Sequence, residues 1–280
     1  MGKFSKDRRD IYYRRAKELG FRARSAFKLL QIDEEFDLFK DVHRAVDLCA
    51  APGSWSQVLS RKLWKDGEDK TSEVRILGVD LQEMAPIPGV TLLQGDITSK
   101  ETAEQIIKYF EGNKADIVVS DGAPDVTGLH DIDEYIQAQL ILAALNITTF
   151  CLREGGKFVA KIFRGKDVTL LYAQLELFFE RVTIAKPKSS RNSSIEAFVV
   201  AENYKPPKGY VPTMVNPMLG SGYGDGNELT GPNRVIVPFV ACGDLSGFDA
   251  DQSYSLQDGN VGVGEYKYLN PVQPPIKQKK

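Results

Sequence analysis

Cysteine is scarce in this chain. There are three in 280 residues, Cys49, Cys151 and Cys242, odd in number and far apart. That excludes a disulfide framework and a cysteine-rich zinc site, and it fits a reducing setting, cytoplasmic or nuclear. No uninterrupted apolar run reaches the roughly 20 residues that a membrane-spanning helix needs, so no membrane association is expected. The first nine residues are polar and basic with no apolar stretch behind them, unlike a secretory signal. No internal repeat is found, and the G-x-G-x-x-G spacing of dinucleotide-binding turns is missing.

What is present is ordinary for a folded protein: 42% hydrophobic and 26% charged residues, enough chain for one large α/β domain with appendages. The net charge of −2 hides an asymmetry. Residues 1–28 carry ten basic side chains against three acidic ones, a local charge of +7, with Phe4, Tyr12, Tyr13 and Phe21 interleaved. Cations for phosphates and rings for bases suit RNA contact, although a solvated basic helix with a few packed rings has the same composition.

From Ser25 to Phe39 the apolar spacing predicts an amphipathic helix. Beyond it, short apolar runs alternate with helical patterns. The strands are expected at Ala45–Cys49, Arg75–Asp80, Val90–Leu93, Asp116–Ser120, Gly156–Phe163, Arg181–Ala185 and Glu196–Ala201. The helices are expected at Trp55–Leu63, Thr102–Phe110, Ile132–Leu152 and Val168–Phe178. This alternation predicts an α/β fold, a doubly wound and mostly parallel sheet of seven strands with helices on both faces. The last two strands are joined by a short Lys/Ser-rich loop, so they should pair antiparallel at one edge. Three regions follow: a basic N-terminal helical segment over 1–40, the main domain over 41–202, and a Pro/Gly-rich extension over 203–280. In the extension Arg234–Cys242 could add a strand, and the Pro- and Lys-rich end is expected to be disordered.

Ligands of such sheets bind beyond the carboxyl ends of the strands, and the chemistry-bearing residues fall there. The first strand runs into Asp47-Leu48-Cys49-Ala50-Ala51-Pro52-Gly53-Ser54-Trp55, a tight turn of small residues that lets backbone approach a ligand, with Ser54 as an N-cap. The second ends in Asp80, suited to ribose hydroxyls, and the third is followed by Gly95-Asp96, where a carboxylate could receive an adenine amino group. Each alone is an ordinary turn acid; the series in order is not. The fourth ends in Ser120-Asp121-Gly122-Ala123-Pro124, at the switch region. The fifth is apolar except for Lys157 and Lys161, and a lysine in a buried strand is costly unless paired or functional. Burial and a nearby cation favour its neutral form, which makes Lys161 a candidate general base; a lysine snorkelling at the strand end is the bland alternative. Glu196 opens the last strand and could neutralise it. Lys28 sits among apolar residues of the N-terminal helix, and spacing alone does not say whether it faces the core or solvent.

Arg24-Ser25-Ala26-Phe27-Lys28-Leu29, the Asp47–Gln57 turn, Ser120-Asp121-Gly122-Ala123-Pro124, Lys161 and Glu196 together resemble the FtsJ family of ribose 2′-O-methyltransferases, over residues 7 to about 202. The opening Gly2–Tyr13 segment, and Cys49 where bacterial members usually carry glycine, resemble the eukaryotic members that act on the tRNA anticodon loop. The resemblance implies a Rossmann-like, S-adenosylmethionine-dependent fold and a Lys-Asp-Lys-Glu tetrad at Lys28, Asp121, Lys161 and Glu196. It implies cofactor contacts at Gly53, Trp55, Asp80, Asp96 and Asp121, and no metal. It also implies tRNA as substrate, at the first loop nucleotide, the wobble nucleotide or both. A separate WD-repeat or large helical-repeat partner would choose between them.

Other readings stay open. The enzyme could methylate rRNA or another RNA, or the chain could be an inactive RNA-binding subunit. An RNA cytosine-C5 methyltransferase shares the Asp-Leu-Cys-Ala-Ala-Pro-Gly turn but needs a nucleophilic cysteine in a Pro-Cys or Thr-Cys context, which none of the three cysteines has. A base-amine methyltransferase would want an Asn/Asp-Pro-Pro-aromatic cluster after the fourth strand, and Asp121-Gly122-Ala123-Pro124 lacks it.

Overall fold

The computed structural model describes residues 10–64, 73–123, 130–164, 168–214 and 231–232, without the side chains of 130–135 and 168–170. The Gly-rich stretch, the expected strand at Arg234–Cys242 and the chain's last residues lie outside the described residues, as do the first nine.

Two helices come first, α1 (Ile11–Glu18) and α2 (Ala26–Phe36). Asp10 caps α1, its carboxylate accepting from the N–H groups of Tyr12 and Tyr13. Then follow β1 (Arg44–Leu48), α3 (Ser54–Leu63), β2 (Arg75–Asp80), β3 (Val90–Gln94), α4 (Lys100–Tyr109), β4 (Ala115–Ser120) and α5 (His130–Cys151). The chain continues through β5 (Leu152–Phe163), α6 (Val168–Glu176), β6 (Phe179–Ala185) and β7 (Glu196–Tyr204).

The seven strands form one sheet in the order β3-β2-β1-β4-β5-β7-β6. β1 to β5 pair in parallel, and β7 runs antiparallel to both β5 and the edge strand β6. The reversed strand therefore lies one place in from the edge. Strand order turns between β1 and β4, whose register ends at Leu48↔Ser120. There the chain leaves the sheet in two directions, and the gap so opened is where ligands of this topology bind.

Alternating side chains face opposite layers. Ile117, Val119, Val159, Phe198 and Val200 pack with Ala26, Leu29, Ile32, Trp55 and Leu59 under α2 and α3. Val118, Phe158, Ala160 and Ile162 pack with Ile106, Ile141, Leu145 and Leu175 of α4 to α6. α2 is thus part of the cover of one face. Lys157, on that face, donates to the carbonyls of Asp37 and Leu38 at 2.8 and 2.9 Å and closes the C-terminal end of α2.

Candidate active site

Lys161 has the parity of Val159 and so points to the face that α2 covers; it is 8% exposed. The β4–β5 ladder ends at Ser120↔Ala160, which sets Asp121 and Lys161 side by side just beyond it. Lys161 Nζ donates to the Asp121 carbonyl at 2.6 Å and to its Oδ1 at 3.0 Å. In the β5–β7 register Glu196 lies opposite Phe163 and Phe198 opposite Lys161, so Glu196 shares the lysine's face. Its partner is Lys28, whose Nζ donates to Oε2 at 2.7 Å, 5.6 Å from the centre of the Phe198 ring. Ser190 donates to the other oxygen, Oε1, at 2.7 Å. Lys28, 9% exposed, faces inward.

The four residues come together as two crossed ion pairs, Lys28–Glu196 and Lys161–Asp121. That corrects one expectation: Glu196 neutralises Lys28, not Lys161, because α2 lies over the start of β7 while Asp121 leaves the sheet beside Lys161. Burial pushes the Glu196 carboxyl up. The charge and hydrogen bond of Lys28, the Ser190 bond and the charge of Lys161 outweigh that and hold it below its ordinary value.

The turn after β1 holds the backbone geometry expected of it. Gly53 has φ +103°, and a Cβ there would come within 2.7 Å of Arg22 Nη1 and Ile87 Cδ1. Gly53, not Ser54, occupies the N-cap of α3; Ser54 is the first helical residue, and its hydroxyl lies 2.6 Å from that of Ser25. Cys49 sits at φ 54°, a conformation that glycine adopts more readily, and its side chain packs on Gly122. Asp80 accepts from the N–H of Ala51 and of Gln82, each at 2.8 Å, tying the turn to the β2–β3 loop. Asp96 accepts from the Thr98 N–H and hydroxyl. The Trp55 indole is 1% exposed, packs 5.7 Å from Phe198 and donates to the Ser25 carbonyl. It has no face for a ligand, so what Trp55 can offer is its N–H in the first turn of α3.

Two arginines of the basic N-terminal segment serve the site from within. Arg22 donates to the carbonyls of Pro52, Ala85 and Pro86 at 2.8–2.9 Å and clamps the two loops together. Arg24 pairs with Asp10 and with the Ser189 carbonyl. Phe21 is buried with Arg61 over it, and Tyr12 packs on Phe27, so these two rings serve the core rather than bases. Arg14, Arg15 and Lys17 on α1 are exposed.

Asp47 is the acid of β1, one residue before its end. It is fully buried, its Oδ2 accepts from Ser56 at 2.6 Å, and its Oδ1 has no partner among the described residues. Burial pushes its carboxyl from 3.8 up to about 7, with the charges of Asp121 and Asp80 adding to the rise and the Ser56 bonds opposing it. Such an acid keeps its proton longer in the native state, so stability declines as pH rises from 3.8 to about 7 and is level above. Asp47→Asn is therefore expected to gain on the parent in that window. In urea unfolding its advantage should be roughly 2–3 kcal/mol larger near pH 8 than near pH 5, and an equal advantage at both would exclude Asp47 as the titrating group.

The two described cysteines do not suit a thiolate nucleophile. Burial, then the charges of Asp80 and Asp47, push Cys49 up to about 12, and burial pushes Cys151 to about 12. What the site suits is a cationic ligand with a nucleoside. Asp80 and Asp121 lie close enough to act on Asp47, an orphaned carboxylate oxygen lies beneath the turn, and Gly53 holds the turn at a positive φ against Arg22 and Ile87.

Fold and site define a Rossmann-like methyltransferase, with S-adenosylmethionine as the methyl donor. The FtsJ-like methyltransferase family profile matches residues 21–204, and the chain belongs to that family. It is 65% identical over 278 residues to the tRNA (cytidine(32)/guanosine(34)-2′-O)-methyltransferase of Mus musculus, covering 99% of this chain and 83% of the relative. It is 54% identical over 281 residues to the Schizosaccharomyces pombe protein of the same description, covering 99% and 96%. Among solved structures, a Plasmodium falciparum protein described as a ribosomal RNA methyltransferase matches with a TM-score of 0.56 at 27% identity, over 66% of this chain and 98% of its own. Among the described residues no helix is long and apolar enough to cross a membrane.

Proposed function

We propose that the chain methylates ribose 2′-hydroxyls of the tRNA anticodon loop, with Lys161 as the group that takes the hydroxyl proton. The observation that carries the chemistry is the crossed pair of buried lysines and carboxylates beside the turn after β1. The substrate follows the relatives, whose descriptions name tRNA nucleotides 32 and 34.

When bound, S-adenosylmethionine supplies an electrophilic methyl on a positive sulfur. Gly53, the N–H groups at the start of α3, Asp80 and Asp96 would hold it, and Asp121 would face its positive centre. The remaining task is to align and deprotonate a weakly acidic alcohol, and alignment supplies much of the rate. Lys161 Nζ would meet the hydroxyl at the sheet fork and take its proton, becoming an ammonium, while the methyl passes from sulfur to the ribose oxygen. Asp121 and Glu196 orient the two amines.

One observation favours a second reading of Lys161. Its Nζ donates to the main-chain carbonyl and to Oδ1 of Asp121, and the contact with the carboxylate is an ion pair. A permanently charged Lys161 would instead stabilise the developing alkoxide.

One active site serving two nucleotides needs a selector outside it. A separate partner protein, a WD-repeat or large helical-repeat subunit, would present each nucleotide in turn. The exposed cations of α1 are suited to the RNA backbone. Site-resolved mapping of 2′-O-methylation on tRNA from cells lacking the protein tests substrate and position together. Loss at nucleotide 32, 34 or both is expected; full methylation at both, with loss elsewhere, would move the substrate to another RNA.

A further inference from the structure

Gln137 lies on α5, on the side of the sheet away from the two lysines, and is 1% exposed. Its Nε2 donates to the carbonyl of Lys161 at 2.9 Å and to that of Gly122 at 3.1 Å. The place of these bonds is specific. The parallel ladder between β4 and β5 stops at Ser120↔Ala160, and the next residues on the two strands are Asp121 and Lys161. At that fork the side-chain amide takes over from the ladder, joining the main chain of Lys161 itself to that of the residue after Asp121.

The arrangement has a cost. Both amide hydrogens are used, but Oε1 is buried and has no hydrogen-bond partner among the described residues. A buried acceptor without a partner costs about 1–3 kcal/mol. The neighbouring positions Ile141, Ala143, Ala144 and Leu145 are apolar core, so an aliphatic side chain at 137 would suit packing better. The amide is worth its cost where the separation of the two main chains matters, and here that separation sets where Lys161 Nζ sits against Asp121.

We infer that Gln137 is a positioning residue for methyl transfer: it fixes the width of the β4–β5 fork and with it the approach of Lys161 to the substrate hydroxyl. It acts through the main chains of Lys161 and Gly122, its two hydrogen-bond partners. The inference rests on the catalytic reading of Lys161, but the two fail separately. An active Lys161→Ala enzyme would end that reading whatever Gln137 does.

The test is Gln137→Leu in the full chain, with methyl transfer, S-adenosylmethionine affinity and thermal unfolding measured on the same preparation. Because a misplacement of about 1 Å can cost 100-fold, kcat is expected to fall about 10- to 100-fold. Cofactor affinity and the KM for tRNA should stay within about twofold, and the melting temperature should fall by roughly a few degrees, since the carbonyls of Lys161 and Gly122 lose their donor while one orphaned oxygen is removed. Gln137→Met, unbranched and of similar length, gives the same reading if leucine does not pack. A kcat within about twofold of the parent would overturn the inference. So would a fall in kcat matched by an equal loss of cofactor affinity, which would make Gln137 a packing residue only.

Discussion

A Lys161→Ala enzyme is expected to transfer no measurable methyl to tRNA while binding S-adenosylmethionine as tightly as the parent. The hydrogen bonds of the side chain go to Asp121, so its removal spares those that hold Gly53, Asp80 and the start of α3. General-base catalysis accounts for about 100- to 10,000-fold, and misalignment of Asp121 adds to the loss. Lys161→Arg separates the two readings of the lysine. Arginine keeps the charge and cannot give it up, so it fails as a base but can stabilise an alkoxide. The base reading expects the arginine enzyme to be as inactive as the alanine one; activity within about 10-fold of the parent would favour a charged lysine. Methyl-transfer assays beside cofactor titration by calorimetry check both.

The second expected result concerns Glu196. Its removal leaves Lys28 as a buried cation without its counter-charge. Breaking a buried pair from one side costs about 3–5 kcal/mol, and with the side chains 11 and 14% exposed a loss of about 2–3 kcal/mol is expected for Glu196→Ala. Removing both charges, as Lys28→Met with Glu196→Ala, should restore most of the stability and none of the activity. The loss also depends on pH. The folded carboxyl lies below its ordinary 4.5, so the stabilisation is complete above that value and fades as pH falls through the lower folded one. Urea unfolding of parent and Glu196→Ala should therefore converge on acidification below about pH 4.5. A double variant as unstable as the single one would show that the pair is not what Glu196 contributes.

Much of this was legible in the chain. Each of the seven strands expected for the sheet is present to within a few residues, because apolar runs that end in an acid or a small-residue turn leave a helix no periodicity to follow. Lys161 stood out because a cation in a buried strand must be paired or used. The pairing was not legible: which lysine Glu196 meets depends on where α2 crosses β7, a contact between residues 168 positions apart. Arg22 and Arg24 counted towards an RNA surface by charge, yet they are spent on carbonyls and Asp10, since charge says nothing of direction. Ser54 has the composition of an N-cap, but the turn needs a positive φ at that position, and only Gly53 supplies it easily. Asp47 carried a signal that could have been used, a lone acid inside an apolar strand. Gln137 carried none, because an amide on a long apolar helix gains its meaning only from the two carbonyls it meets.

The proposed chemistry requires Lys161, the cofactor's sulfur and a ribose oxygen to share one pocket at the β4–β5 fork. A crystal structure with bound S-adenosylhomocysteine measures that directly. The expected result is the cofactor seated on Gly53, Asp80 and Asp96, its sulfur facing Lys161 Nζ across a gap wide enough for the methyl group and one ribose oxygen, the oxygen about 3 Å from the methyl position and within hydrogen-bond reach of Nζ. A cofactor sulfur turned away from Lys161, with protein between them, would contradict it.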